Sequence, residues 1–191
     1  MKETLSIIPE NPYLVLIGLN PTKEAIKNKA VFSRDEAFWN LLISAGILKN
    51  SIKEVDLKKR ASAAFLTQIH SDYRLGFADL LPLIDETDSK KVKVPKGSAK
   101  ELFETTPNLK NAKRIALLGQ KVVDAFYKEY GLNIKNGINN WGGLTKVGDK
   151  KQFGSIGEIE IEGKKIEVFA MPFPVNNSIE KKHEFYSKLI Q

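Results

Sequence analysis

Three short segments of this 191-residue chain hold the residue types that could do chemistry. They are Gly18-Leu19-Asn20-Pro21-Thr22, the stretch from Asp79 to Pro82, and Pro172-Phe173-Pro174-Val175-Asn176-Asn177-Ser178. Asn20 is the foremost candidate. A side-chain amide offers one acceptor and two donors, so it can hold a water without titrating, though it lacks the proton-abstracting power of a carboxylate. Pro21 would fix the turn and remove a competing backbone donor. Asn and Pro are also favoured in a plain strand-exit turn, on local grounds alone. Asp79 is the nearest carboxylate to the second segment. It would read a hydrogen-bonding edge, act as a base, or simply be a surface or capping acid.

Composition removes several other chemistries. Zero cysteines exclude disulfides, thiol nucleophiles and thiolate metal sites. The two histidines, His70 and His183, are far apart and lack a ligand cluster, so no metal site is expected. His70 is expected to be a solvated side chain or a contact to a polyanion. There is no Gly-x-Gly-x-x-Gly and no Gly-x-x-x-x-Gly-Lys-Ser/Thr loop, and Gly119-Gln120-Lys121 has too little glycine to cradle a phosphate. No cofactor is expected. The formal net charge of +7 favours polyanionic partners, because neutralising phosphates releases counterions; a lysine-rich solvated surface has the same arithmetic. No run approaches the ~20 apolar residues of a membrane helix, and Met1-Lys2-Glu3-Thr4-Leu5 lacks the marks of a secretory signal. The expectation is one domain over 1–191, monomeric, with no membrane association, in a cytoplasmic, nucleoid-associated setting.

The elements that must position these segments follow from patterning. Leu14-Val15-Leu16-Ile17-Gly18 is a short apolar run suited to a strand buried on both faces. Phe38 to Gly46 has helical length, with Gly46 as its stop and Phe38 and Trp39 in the core. Ala61 to Ile69 is a second short helical stretch. Phe77 to Pro82 reads as a strand ended by Pro82. Asp88 to Lys96 reads as an exposed lysine-rich loop before a helix near Ser98 to Phe103, with Ser98 as N-cap and Glu101 completing a capping box. Arg114 to Gly119 repeats the buried-strand pattern, and a helix from Gln120 to Tyr130 closes at Gly131. Gly157 to Met171 alternates as a hairpin around Glu162-Gly163-Lys164-Lys165, its second arm a core strand. Strands alternating with helices predict a three-layer α/β/α domain around a mainly parallel four-stranded sheet. Ligands collect at the carboxyl ends of such strands, where all three segments fall.

In that order the segments resemble the uracil-DNA glycosylase superfamily, and within it the mismatch-specific uracil/thymine branch. Gly18-Leu19-Asn20-Pro21-Thr22 is similar to a Gly-Ile-Asn-Pro-Gly signature at the end of the first core strand. Phe32 stands at the position of a Phe that stacks on the extruded base. Phe38-Trp39 with Ala45-Gly46, Tyr73-Arg74-Leu75-Gly76, Leu118-Gly119 and Trp141-Gly142 match further family features. Ala170 to Ser178 mirrors the strand that leads to Leu-Pro-Asn-Pro-Ser-Gly-Leu-Ser. The correspondence runs from about Leu14 to Ser178.

The resemblance implies a monofunctional glycosylase that hydrolyses the N-glycosidic bond of a flipped-out uracil, or another deaminated or mismatched base, in single- or double-stranded DNA. Asn20 would orient the water. Gly18, Leu19, Pro21, Phe32, Ser33, Asp79 and Phe173 would form the base site, and Arg34 would contact phosphate from its rim. Pro174, Asn176, Asn177, Ser178 and Lys181 would meet the DNA, with Lys182 beside them. Phe32 also fits ordinary core packing. There are departures: Phe173 replaces an Asn or His that contacts the sugar and leaving base, Asn176 or Asn177 stands where a hydrophobic wedge is usual, and Thr22 replaces Gly. They leave open a non-catalytic nucleic-acid-binding protein of the same fold. A nucleotide- or phosphoester-handling α/β enzyme is the remaining reading, which the missing glycine loops disfavour.

Overall fold

The computed structural model describes residues 5–31, 36–56, 70–132, 153–174 and 179–191. Five strands form one sheet: β1 (Leu14–Gly18), β2 (Leu75–Asp79), β3 (Arg114–Leu118), β4 (Gly154–Ile161) and β5 (Lys164–Met171). Their order is β2-β1-β3-β5-β4. β1 pairs in parallel with β2 and β3, β3 pairs in parallel with β5, and only β4 runs antiparallel. The described α-helices are α1 (Lys23–Asn28), α2 (Glu36–Ser44), α3 (Ser98–Thr105), α4 (Gln120–Tyr130) and α5 (Ile179–Tyr186).

β1 is buried along its whole length, as its unbroken apolar run requires. Leu14 and Leu16 face one layer, where Phe38, Trp39, Leu41 and Leu42 of α2 meet Tyr186 of α5. Val15 and Ile17 face the other, against Leu102 and Phe103 of α3 and Val122 and Phe126 of α4. Two cores, one on each face of the sheet, make the three layers. Phe38 and Trp39 are both fully buried. Their rings meet edge-on at 4.9 Å, and Phe77 of β2 packs against each.

The sheet has five strands where four were expected. Glu162 (φ 50°) and Gly163 (φ 77°) form a two-residue hairpin turn, whose twist returns the chain directly onto its neighbour. Lys164 and Lys165 belong to β5 rather than to the turn, and β4 extends back to Gly154. β4 thereby pairs the edge that β5 would otherwise leave with free N–H and C=O groups. The β2 edge is met by Ile7, which exchanges main-chain hydrogen bonds of 2.7 and 2.8 Å with Phe77.

Two local expectations are corrected. The second strand ends at Asp79 rather than at Pro82, because Leu80 and Leu81 leave the regular ladder while still donating to the Gly18 and Leu19 carbonyls at 2.9 Å. The capping box at Ser98 does not form. Gly97, at φ 93°, is the N-cap of α3, and the Ser98 hydroxyl donates backwards to the Pro95 carbonyl at 2.8 Å. The orphan N–H groups of Gly97 and Lys100 donate instead to the two carboxylate oxygens of Glu129 on α4, each at 3.0 Å. A neighbouring helix supplies the acceptor that the local sequence was expected to provide. Glu129→Ala should therefore cost about 1–2 kcal/mol, seen as a lower urea midpoint at unchanged slope; an unmoved midpoint would show that α3 does not depend on this cap.

Candidate functional site

The carboxyl ends of β1 and β2 lie side by side, with Gly18 opposite Asp79 in register. Glycine is needed there. A Cβ on Gly18 would sit 2.7 Å from Asp79 Oδ1, closer than Cβ atoms pack, so the bare backbone is what admits the carboxyl group. Among the described residues this carboxyl has neither a hydrogen-bond nor an ion-pair partner, and burial pushes it up to about 7 from the ordinary 3.8. It caps no described helix, and it is half-buried rather than exposed. A half-buried carboxyl group at a strand end, without a partner among the described residues, is arranged at a cost to stability.

Asn20 follows two residues after Gly18 and is half-buried. Its Nδ2 donates to the carbonyls of Glu86 at 2.7 Å, Pro21 at 3.0 Å and Ile84 at 3.2 Å. Carbonyl oxygens only accept, so the nitrogen must face them and Oδ1 must face away. The amide is thus locked in one orientation, and among the described residues its acceptor has no donor. Pro21 is buried behind it, and Thr22 caps α1, its hydroxyl accepting from the Ala25 N–H at 3.1 Å. The Thr that departs from the signature glycine has a structural job. Leu19 is half-buried and packs on the α3–α4 core.

Phe173 reaches the same end of the sheet from β5. β5 and β1 flank β3, so their ends stand about 10 Å apart, two strand spacings. Phe173 is 43% exposed, unlike the buried Pro172 and Pro174 on either side. Its ring lies beside Gly119, where an added Cβ would be 3.7 Å from Cδ2. The entry to this segment is held twice. Gly119 N–H donates to the Met171 carbonyl at 3.3 Å, and the buried Tyr186 hydroxyl donates to the Pro172 carbonyl at 2.8 Å.

Gly18, Leu19, Asn20, Pro21 and Asp79 therefore form one group, and Phe173 and Pro174 end a strand two places away. Phe32, Ser33 and Arg34, Asn176, Asn177 and Ser178, the Trp141-Gly142 pair and the helical stretch from Ala61 to Ile69 lie outside the described residues, as does the side chain of Lys181. Lys182 is buried in α5 rather than presented to a ligand. His70 is not solvated as expected. It is 6% exposed, with Nδ1 3.0 Å from the Ser51 hydroxyl, because the chain re-enters the core there ahead of β2. The carbonyls of Ile84 and Glu86 that orient Asn20 had no sequence signal, since every residue carries one. A groove of about 400 Å³ between Leu80–Ile84 and α3 is lined by Leu80, Leu81 and Pro82 of the second segment but not by Asn20, Asp79 or Phe173.

This geometry is met by a family match. The profile described as the uracil DNA glycosylase superfamily covers residues 5–191. The chain belongs to that superfamily, and membership gives it a DNA glycosylase-like function with DNA as the class of partner. No curated protein matches the chain.

The raised Asp79 carboxyl has a consequence for stability. Its folded-state value lies above its unfolded one, so its contribution is fully present below about 4 and is lost as pH rises through about 7. Asp79→Asn should accordingly raise the urea midpoint relative to wild type at pH 8 and have far less effect at pH 4. Equal effects at the two pH values would show that the carboxyl is not held out of water.

Proposed function

We propose that the chain is a monofunctional DNA glycosylase, nearest to the mismatch-specific uracil/thymine branch, that hydrolyses the N-glycosidic bond of an extruded uracil or other deaminated or mismatched base. The observation that carries this reading is the Asn20 amide, whose nitrogen is fully engaged by carbonyls while Oδ1 meets no donor among the described residues.

Cleavage in a duplex requires the base to leave the stack, since no protein group reaches the sugar otherwise. The bond from C1′ to the base nitrogen then breaks with its electron pair on the base, and C1′ gains oxocarbenium character. A water O–H donated to Asn20 Oδ1 turns a water lone pair toward C1′. The oxygen bonds to C1′ and the water's proton passes to solvent or to the base, leaving free base and an abasic sugar. The amide positions and does not abstract, so a slow chemical step is expected.

Asp79 lies opposite Gly18, two residues before Asn20, and near neutral pH its carboxyl would be divided between acid and carboxylate. Its acid form can donate an O–H to a base carbonyl or to charge collecting on the departing base; its ionised form can accept a ring N–H. Phe173 supplies an exposed aromatic face for stacking, worth ~1–3 kcal/mol per base, where a hydrogen-bonding side chain would be usual. Phe32, Ser33 and Arg34 would complete the pocket and its rim, and Pro174, Asn176, Asn177, Ser178 and Lys181 the DNA-facing edge. An intracellular, nucleoid-associated monomer fits this role.

Phe173 has no hydrogen-bonding group, which favours one rival, a non-catalytic DNA-binding protein of the same fold. The two separate cleanly. Duplexes with a single U·G, T·G or hypoxanthine pair, treated with alkali after incubation, should show strand breaks with wild type on at least one lesion. Asn20→Ala should reduce them at least about 100-fold while the circular dichroism stays that of a folded protein. Folded wild type that breaks no strand on any lesion, yet binds DNA equally well with or without Asn20→Ala, would overturn the glycosylase reading in favour of the rival.

A further inference from the structure

The segment after β2 carries charge that the site described so far does not use. Lys90, Lys91 and Lys93 are all exposed, and among the described residues none has an ion-pair partner. Nearby acids are turned inward to the chain's own main chain. The Glu86 carboxylate accepts the Asp88 N–H at 2.9 Å, and the Asp88 carboxylate accepts the Lys90 N–H at 3.0 Å, capping a 3-10 turn over Ser89–Lys91. Asp85 is likewise engaged.

This turn is rigidly placed. Lys121, on the first turn of α4, donates from Nζ to the carbonyls of Ser89 at 2.6 Å, Val92 at 2.6 Å and Lys90 at 3.3 Å. Val92 is itself buried in the α3–α4 core. α4 starts directly after β3, so the turn stands at the carboxyl end of the sheet, with the candidate site. The connection to that site is direct. Glu86, whose carbonyl takes the 2.7 Å bond from Asn20, is four residues from Lys90, at most about 15 Å of chain.

We infer that Lys90, Lys91 and Lys93 form a preformed phosphate-binding rim that holds the DNA backbone flanking the nucleotide presented to Asn20. The inference rests on the glycosylase reading for the identity of the polyanion. An ordered turn with unpaired cations binds phosphates without first ordering a loop. Such contacts release counterions and carry no sequence information, so they set affinity and its salt dependence rather than the choice of base.

The test compares K90Q/K91Q/K93Q with wild type and with K113Q/K164Q/K165Q. The second triple makes the same charge change at the opposite end of the sheet, beside the amino ends of β3 and β5. Binding to an undamaged duplex is followed by anisotropy over a salt series, and base release from a lesion duplex is timed in single turnover. The rim triple should weaken binding at least about tenfold at low salt and make the salt slope shallower by about 2–3. The control triple should keep the wild-type affinity and slope. If wild type releases base but the rim triple keeps the wild-type affinity and slope, the rim is overturned and the glycosylase reading stands. If wild type neither releases base nor binds DNA with salt dependence, both fall.

Discussion

Carbonyl groups in a loop that crosses the end of a buried sheet must find donors, because an unpaired one costs as much as a lost hydrogen bond. Here the Asn20 amide supplies the donor for Ile84 and Glu86. Much of the site follows from that. The loop after β2 is drawn over the end of β1, the adjacent N–H groups of Leu80 and Leu81 close onto Gly18 and Leu19, and the amide keeps one polar atom that no described residue engages. The group best suited to hold a water is the same group that clamps its surroundings. A water-holder fixed this way loses little freedom when substrate arrives.

Asp79 and Phe173 frame this amide with opposite chemistry. The carboxyl group is admitted by a missing Cβ on Gly18, is half-buried, and has no partner among the described residues. The aromatic ring, on the other hand, is left in solvent although its neighbours in sequence are buried. Each is unfavourable for folding alone: a polar group partly held from water and an apolar one exposed to it. Such exceptions mark places where the fold yields to a ligand.

The basic residues divide by what surrounds them. Arg114 pairs with Glu167 at 3.0 Å, donates to the Leu189 carbonyl at 2.9 Å and lies over the rings of Tyr13 and Phe169, which ties the C-terminal residues to the amino end of β3. Lys121 is similarly occupied by three carbonyls. These cations are structural. Lys90, Lys91 and Lys93 are among the exposed lysines without an ion pair among the described residues, so a net charge of +7 becomes a directional property only when such internal uses are subtracted.

The sequence by itself determined the layers. Runs such as Leu14–Gly18 and Arg114–Leu118 are too short and too apolar to be anything but strands buried on both faces, and the helical run from Gln120 to Gly131 follows from periodicity and its glycine stop. It also singled out Asn20 and Asp79 as polar residues at the ends of such strands, a pattern that an exit turn or a surface acid shares. Tertiary structure alone decided the rest. Glu129 displaced the local cap at Ser98, β4 joined the sheet as its fifth strand, and His70 turned inward. Asn20 acquired its orientation from carbonyls 64 and 66 residues away. Periodicity reports which face of an element is apolar, and that is a local property. Which donor meets which acceptor depends on surfaces brought together from distant parts of the chain, and no local pattern encodes it.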